Sequence, residues 1–240
     1  MRVYGSLALK AHYFSLRKHL VILIFFLIFS FAGLCEESNK TCKHDLYREQ
    51  AIHNDLIQEN FIDSYQNNTY KMTMGLRYMT EMCDSGSNFT FFIDGDYALN
   101  ITNLLKYLYN LKSHKNFYGG QMWFGPPFRQ RFHKHYRSLD QYPFEYYPPF
   151  IAAGAMLLSE DVAKRFFILS HYTEYFPFDD VYFGFIAKKL DVTAVQMSDL
   201  LPSTLNIPER HARRNLELIG SHRFGKLDEV RFIYEMAPLL

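Results

Sequence analysis

In the segment Phe89–Asn100, FTFFIDGDYALN, an apolar run of β-type residues stops abruptly at two carboxylates, Asp94 and Asp96, with one glycine between them. A strand with such an end carries a handle for a metal ion and a phosphate. Strand side chains alternate with period two, so Asp94 and Asp96 point to the same side if the extended geometry runs through Gly95. Like charges so placed repel unless a cation sits between or beside them. That suits a hard divalent ion such as Mg²⁺ or Mn²⁺ which also binds phosphate oxygens. The alternative for the same residues is a solvated turn.

The 240 residues, 48% of them hydrophobic, suffice for one substantial core, and a single domain is expected. The 26 Lys and Arg balance 25 Asp and Glu, which excludes the broad basic footprint of a nucleic-acid binder. The 18 Tyr and 23 Phe fit a packed core or the lining of a carbohydrate or nucleotide cleft.

Leu20–Leu34, LVILIFFLIFSFAGL, is uncharged, follows Arg2, Lys10, Arg17 and Lys18, and precedes Glu36 and Glu37. As a helix it is a membrane-directed segment, short for a bilayer of ~30 Å, whose basic flank stays in the cytosol. The layout this predicts is a cytoplasmic tail over 1–19, a transmembrane signal anchor over 20–35, a short stem over 36–44 and a lumenal domain over 45–240. A cleaved signal peptide competes, because Phe31-Ala32-Gly33 closes the run with small residues. Sequons make Asn39, Asn67 and Asn88 glycosylation candidates in a lumenal chain, whereas a glycan at Asn100 would obstruct the carboxylates. Cys42 and Cys83 can pair in an oxidising compartment, leaving Cys35 free or intermolecular.

Periodicity predicts helices over Tyr70–Met82 and Asn100–Lys112, and strands over Phe89–Ile93, Phe117–Phe124, Ile151–Leu158 and Val192–Met197. Ser159 is a candidate N-cap for a helix through Leu169, and a further helix starts at Asp179. Between them Arg129–Arg137, RQRFHKHYR, interleaves bases and aromatics and reads as a solvated strand or hairpin, with phosphate contact as the alternative. Strands alternating with helices define an α/β class. The second acidic pair, Asp179-Asp180, opens its helix, where carboxylates are favoured by the free N–H groups and the helix dipole whether or not they do chemistry.

Read in order, NFIDSYQNNTYK (Asn60–Lys71), Cys83, FFIDGDYALN, YPPFIAAGAMLLS (Tyr147–Ser159), FDDVYFG (Phe178–Gly184) and a late His222 resemble the β-1,3-galactosyltransferase and N-acetylglucosaminyltransferase family. The resemblance covers roughly Asn54–Tyr234. It implies a Golgi type II membrane enzyme with a GT-A, Rossmann-like α/β fold. Such an enzyme moves galactose or N-acetylglucosamine from a UDP-sugar to a hydroxyl of a glycan on protein or lipid, in β-1,3 linkage with inversion. The family's acidic motif falls on Asp94, Gly95 and Asp96, so the resemblance implies that Asp96 binds Mn²⁺, with Asp94 beside the ribose or metal and His222 completing the metal site. Asp180 matches the general base, Asp179 stands in place of a glutamate, and Tyr147, Pro149, Gly154 and Asp179 shape the acceptor or sugar pocket. Assembly with itself or with other transferases is left open.

Two departures from the family pattern stand out. Gly95 replaces the middle acid, removing charge from around the metal. The R-x-T-W block and F-L-L-G-type strand of the family have no expected counterpart between Leu34 and Asn54, which predicts an N-terminally incomplete nucleotide-binding unit. The competing function is therefore a catalytically impaired lumenal relic that binds glycans or partner transferases.

Overall fold

The computed structural model describes residues 6–11, 26–36, 40–82, 88–95, 97–201 and 218–222. In chain order the elements are β1 (Ser6–Ala11), β2 (Phe26–Leu34), α1 (Lys40–His53), β3 (Leu56–Ile62), α2 (Asn68–Arg77), β4 (Phe89–Asp94), β5 (Tyr97–Leu99) and α3 (Ile101–Asn110). They continue with β6 (Tyr118–Trp123), β7 (Phe150–Ser159), α4 (Glu160–Ser170), α5 (Asp179–Lys189), β8 (Ala194–Gln196), β9 (Leu200–Leu201) and β10 (Gly220–His222). The main sheet runs β3-β2-β1-β4-β7-β6-β8, and a smaller one runs β5-β10-β9. In the main sheet β1 and β7 run against the remaining strands, so this is a mixed α/β sheet.

β4 is the spine because both of its faces are apolar. Phe89, Phe91 and Ile93 pack with Leu104 and Leu108 of α3, Phe117, Leu157 and Ile219. Phe92 turns the other way, into a larger core with Phe31, Met72 and Leu76 of α2, Phe166 of α4 and Phe183 of α5. Fully burying each of these side chains contributes roughly 1.5–3 kcal/mol before entropy is counted. Asp94 continues the Phe92 face by period two, toward the side covered by α2, α4 and α5.

The alternation argument for Asp96 ends at Gly95, where the chain turns out of the main sheet; β5, from Tyr97 onward, belongs to the smaller one. Asp96 itself lies outside the described residues. Asn100 caps α3 by accepting a hydrogen bond from the Asn103 amide at 3.1 Å. Ser159 stands at the N-cap of α4, but its hydroxyl accepts from the Phe117 amide at 2.9 Å and donates to Asp161 at 2.7 Å. It thus ties β7 to the start of β6.

The front of the chain differs most from expectation. Phe26–Leu34, read as part of a membrane helix over 20–35, is a strand paired antiparallel to β1 and parallel to β3. A continuous apolar run is what a strand buried on both faces also looks like, so its partners decide the outcome. Residues 20–25 lie outside the described residues. Among the described residues no helix is long and apolar enough to cross a membrane.

The expected stem over 36–44 instead contains the start of α1, which runs without a break across residue 45. β2, α1 and β3 thereby form a parallel strand–helix–strand unit whose last strand runs into the Asn60–Lys71 motif. Cys35 bonds to Cys42, fastening the end of β2 to the first turn of α1. The expected partner Cys83 lies outside the described residues, and so does the candidate sequon Asn39.

A buried ion pair secures the join between this unit and α2. Lys71 Nζ lies 2.7 Å from Asp63 Oδ1, and Asp63 Oδ2 accepts from the Gly33 amide at 3.0 Å. A Cβ on Gly33 would come 2.5 Å from the Phe61 carbonyl oxygen, so the close crossing of β2 and β3 requires glycine there.

Candidate active site

One cavity of about 1000 Å³ opens at the carboxyl ends of β4 and β6, the start of β7 and the N-terminus of α5. Open α/β sheets offer ligand crevices in this position. Asp94, Asp179 and Asp180 line it together, although β4 and α5 are far apart in sequence. Gly184 allows α5 to sit on β7, since a Cβ there would lie 2.7 Å from the Phe150 Cβ. The contact brings the first turn of α5 over the end of the strand.

The two α5 carboxylates keep part of their surface open to the cavity, but protein surrounds them elsewhere. Burial lifts Asp180 to about 6, against the opposing pull of the Val181 N–H, which donates to Oδ1 at 2.7 Å. Burial, then the charge of Asp180, then that of Asp94 hold Asp179 well above the usual carboxylate range. Three carboxylates so arranged do not all ionise easily without a counter-charge. Such a set fits a proton-accepting role or the neighbourhood of a bound cation.

His222 comes to the same region through its backbone. β10 pairs antiparallel with β5, which sets His222 opposite Tyr97, the residue after Asp96. The pairing is held by the Asn100 N–H donating to the Ile219 carbonyl at 2.8 Å and by Asn103 Nδ2 donating to the Leu218 carbonyl at 2.9 Å.

Of the expected pocket residues, Tyr147, Gly154 and Asp179 line the cavity. The Tyr147 hydroxyl is buried and has no hydrogen-bond partner among the described residues, and burial raises it to about 12. Beside Gly154 the Tyr97 ring fills the space that a side chain would take. Pro149 is exposed and outside the cavity lining; its carbonyl packs toward Gly184 of α5. Of the sequon residues described, Asn67 Nδ2 donates to the Ile62 carbonyl at 2.8 Å, and Asn88 Nδ2 lies 3.5 Å from His114 Nδ1.

A further wall of the cavity was not foreseen. The segment around Arg129–Arg137 is neither a strand nor a hairpin but a series of turns with one isolated bridge, Phe128 to Tyr136. Arg129 organises it: Nη1 donates to the carbonyls of Arg137 and Ser138 at 3.0 and 2.9 Å, and Nη2 to those of Tyr142 and Phe144 at 2.9 and 3.0 Å. The wall is tied to the Asn60–Lys71 motif by Tyr65, whose hydroxyl lies 2.7 Å from His135 Nε2 with the two rings stacked. Burial, then Asp180, Asp179 and Asp94, raise Tyr65 to about 12, so this hydroxyl feels all three cavity carboxylates. Burial, then Lys134, His133 and Arg137, lower the pKa of His135. Arg137 lies over the ring of Phe178, 4.4 Å from its centroid, bracing the residue just before Asp179.

Residues 14–198 match the galactosyltransferase family, a span that includes the apolar run of β2. The chain is 32% identical over 207 residues to the beta-1,3-galactosyltransferase brn of Drosophila melanogaster, covering 84% of this chain and 61% of that protein. It is 36% identical over 155 residues to the beta-1,3-galactosyltransferase bre-5 of Caenorhabditis elegans, covering 64% and 48%. It is also 33% identical over 172 residues to the UDP-GalNAc:beta-1,3-N-acetylgalactosaminyltransferase 1 of Mus musculus, covering 71% and 51%. The chain thus spans about half to three-fifths of the length of these relatives.

Proposed function

The chain belongs to the galactosyltransferase family, and we propose that it transfers a hexose from a UDP-sugar to a hydroxyl of a glycan acceptor, forming a β-1,3 linkage with inversion. The observation that carries this reading is the convergence of Asp94, Asp179 and Asp180 on one cavity at the carboxyl end of the sheet. The names of the relatives make galactose and N-acetylgalactosamine the donor sugars to be tested, beside the N-acetylglucosamine that the sequence resemblance also implies.

Asp180 is the general base. Lifted to about 6, it is largely ionised near neutral pH and retains more affinity for a proton than an ordinary carboxylate. It takes the proton of the acceptor hydroxyl as that oxygen attacks the anomeric carbon from the side opposite the departing UDP. Asp179, beside it, holds its proton more readily and can donate a hydrogen bond to a sugar hydroxyl. Tyr65, whose deprotonation the same carboxylates oppose, stays neutral.

The divalent cation of this reading is Mn²⁺: Asp96 and His222 would hold it, with Asp94 beside them. The juxtaposition of the Tyr97 and His222 backbones supports that grouping. Carboxylate oxygens and an imidazole nitrogen are ligands that Mn²⁺ accepts. Bound there, the cation supplies neutralisation of the charge that develops on the departing diphosphate. The reading includes a lumenal location in the secretory pathway, for which the Cys35–Cys42 disulfide is the physical support.

The test is calorimetric titration of the full chain with UDP, with and without Mn²⁺, followed by a transfer assay on Asp180→Asn. Metal-dependent UDP binding that survives in the variant, with transfer lost, is the expected result. A folded chain that binds no UDP with Mn²⁺ would return the molecule to the class of a non-catalytic glycan binder.

A further inference from the structure

We propose that Trp123 and Phe124 form a stacking platform for the acceptor, so that the preferred acceptor carries at least two sugars: one presents its hydroxyl to Asp180 and the next lies on these rings. The proposal rests on the transferase reading above.

Both residues line the carboxylate cavity, yet Trp123 is 51% exposed and Phe124 61%. The Phe124 ring is held in place rather than loose, stacked on Tyr146 with centroids 5.4 Å apart and planes 9° from parallel. Large rigid aromatic faces left open beside a concave polar site are surfaces that a ligand with an apolar face can cover. Sugar rings present such faces on their C–H side.

The topology separates this platform from the donor side. Continuing the β4–β7 register sets Asp94 opposite Gly154, while Trp123 pairs with Phe150 at the other end of the same stretch of β7. Four residues of strand separate the two points, roughly 13 Å at ~3.3 Å per residue, and β7 stands between β4 and β6. α5, which opens with Asp179 and Asp180, packs on β7 through the contact of Gly184 on Phe150, and both carboxylates share the cavity with Asp94 and Trp123. A saccharide that reaches Asp180 from the side away from Asp94 therefore runs out over Trp123 and Phe124.

Trp123 is the sole tryptophan of the chain, so intrinsic emission reads the platform directly. The full chain is titrated with methyl β-glycosides of galactose, glucose, mannose and N-acetylglucosamine, with β-linked disaccharides of the same sugars, and separately with UDP and Mn²⁺. Transfer to each saccharide is assayed in parallel. Expected is a saturable blue shift with at least one disaccharide, at least fivefold weaker with its monosaccharide and absent with UDP and Mn²⁺. Phe124→Ala should weaken that disaccharide about tenfold without moving the melting temperature.

Emission unmoved by a disaccharide that the same preparation glycosylates would overturn the platform and leave the transferase standing. An equal shift with UDP and Mn²⁺ would overturn it in favour of a nucleotide-stacking face. A saccharide shift without any transfer would support the platform and remove the transferase reading. Neither shift nor transfer, in a folded sample, would overturn both.

Discussion

Tyr97 lies against Gly154 so closely that a Cβ on the glycine would stand 2.8 Å from the ring Cε2 and 3.3 Å from the hydroxyl. Tyr97 follows Asp96 directly and pairs with His222, so this contact couples β7 to the candidate metal site. Gly154→Ala should push the ring away, lowering stability by about 1–3 kcal/mol, the usual cost of overpacking. Metal-dependent UDP affinity should fall while Asp180 remains in place. Denaturant melts and UDP titration with Mn²⁺ check this; unchanged UDP binding in the variant would show that Tyr97 does not position the site.

Asp180 should give activity and stability opposite pH dependences. Transfer requires the ionised base and should rise with pH through about 6. Between the unfolded value of ~3.9 and about 6 the folded chain holds the extra proton, so stability declines as pH rises across that window. Asp180→Asn should abolish transfer and stabilise the chain at neutral pH by on the order of 2 kcal/mol, with a flatter stability profile. Urea unfolding at pH 5 and pH 8 distinguishes this from a variant that is merely damaged.

Arg129 serves four carbonyls with one planar group, a task that the point charge of lysine cannot perform. Arg129→Lys should loosen the wall between Gly125 and Tyr147 at a cost of about 2–3 kcal/mol, given that hydrogen bonds to charged groups are worth ~1.5–3 kcal/mol. Limited proteolysis should cut within that wall before the sheet melts. Equal protease resistance in the variant and the parent would refute the assignment.

Lys71 is 4% exposed and paired to Asp63, which also holds the Gly33 amide. Lys71→Met leaves Asp63 without its buried counter-charge and should cost about 3–5 kcal/mol. Adding Asp63→Asn should recover part of that loss, because the amide oxygen can still accept from Gly33. A double variant no more stable than Lys71→Met, measured by equilibrium unfolding, would contradict this.

The Tyr147 hydroxyl, without a partner among the described residues, separates ligand binding from folding. Tyr147→Phe removes a buried polar atom and should leave stability equal or raised by about 1 kcal/mol. If the hydroxyl serves the substrate, KM for the acceptor should rise with little change in kcat. A stability loss would show that the group is paired in solution.

The β4 strand and its acidic end were legible because an unbroken apolar run closing on charge has few other meanings. The Asp179-Asp180 helix start was equally plain, since carboxylates favour that position. The Phe26–Leu34 part of the apolar run was not, because a strand between neighbours and a helix in lipid share one composition, and only pairing with β1 and β3 separates them. Assigning Cys35 to the membrane then hid its bond to Cys42. The cavity wall around Arg129 follows no period: its order comes from one guanidinium reaching carbonyls 8 to 15 residues onward, which no local pattern announces. Tyr65 stood within a quoted motif, but its nearness to the carboxylates depends on His135, far along the chain.

The small sheet that joins β5 to β10 has a bearing on when the molecule becomes competent. During synthesis the acid-ended strand, the cavity and α5 all emerge well before Gly220–His222, the segment that docks beside Tyr97. A nascent chain can therefore assemble its main sheet while the strand that pairs with β5 and brings His222 opposite Tyr97 is still missing. Closure of the Phe89–Ile93 face of β4 waits for Ile219, so cleavage ahead of that residue would reach the core as well as the strand beside Tyr97.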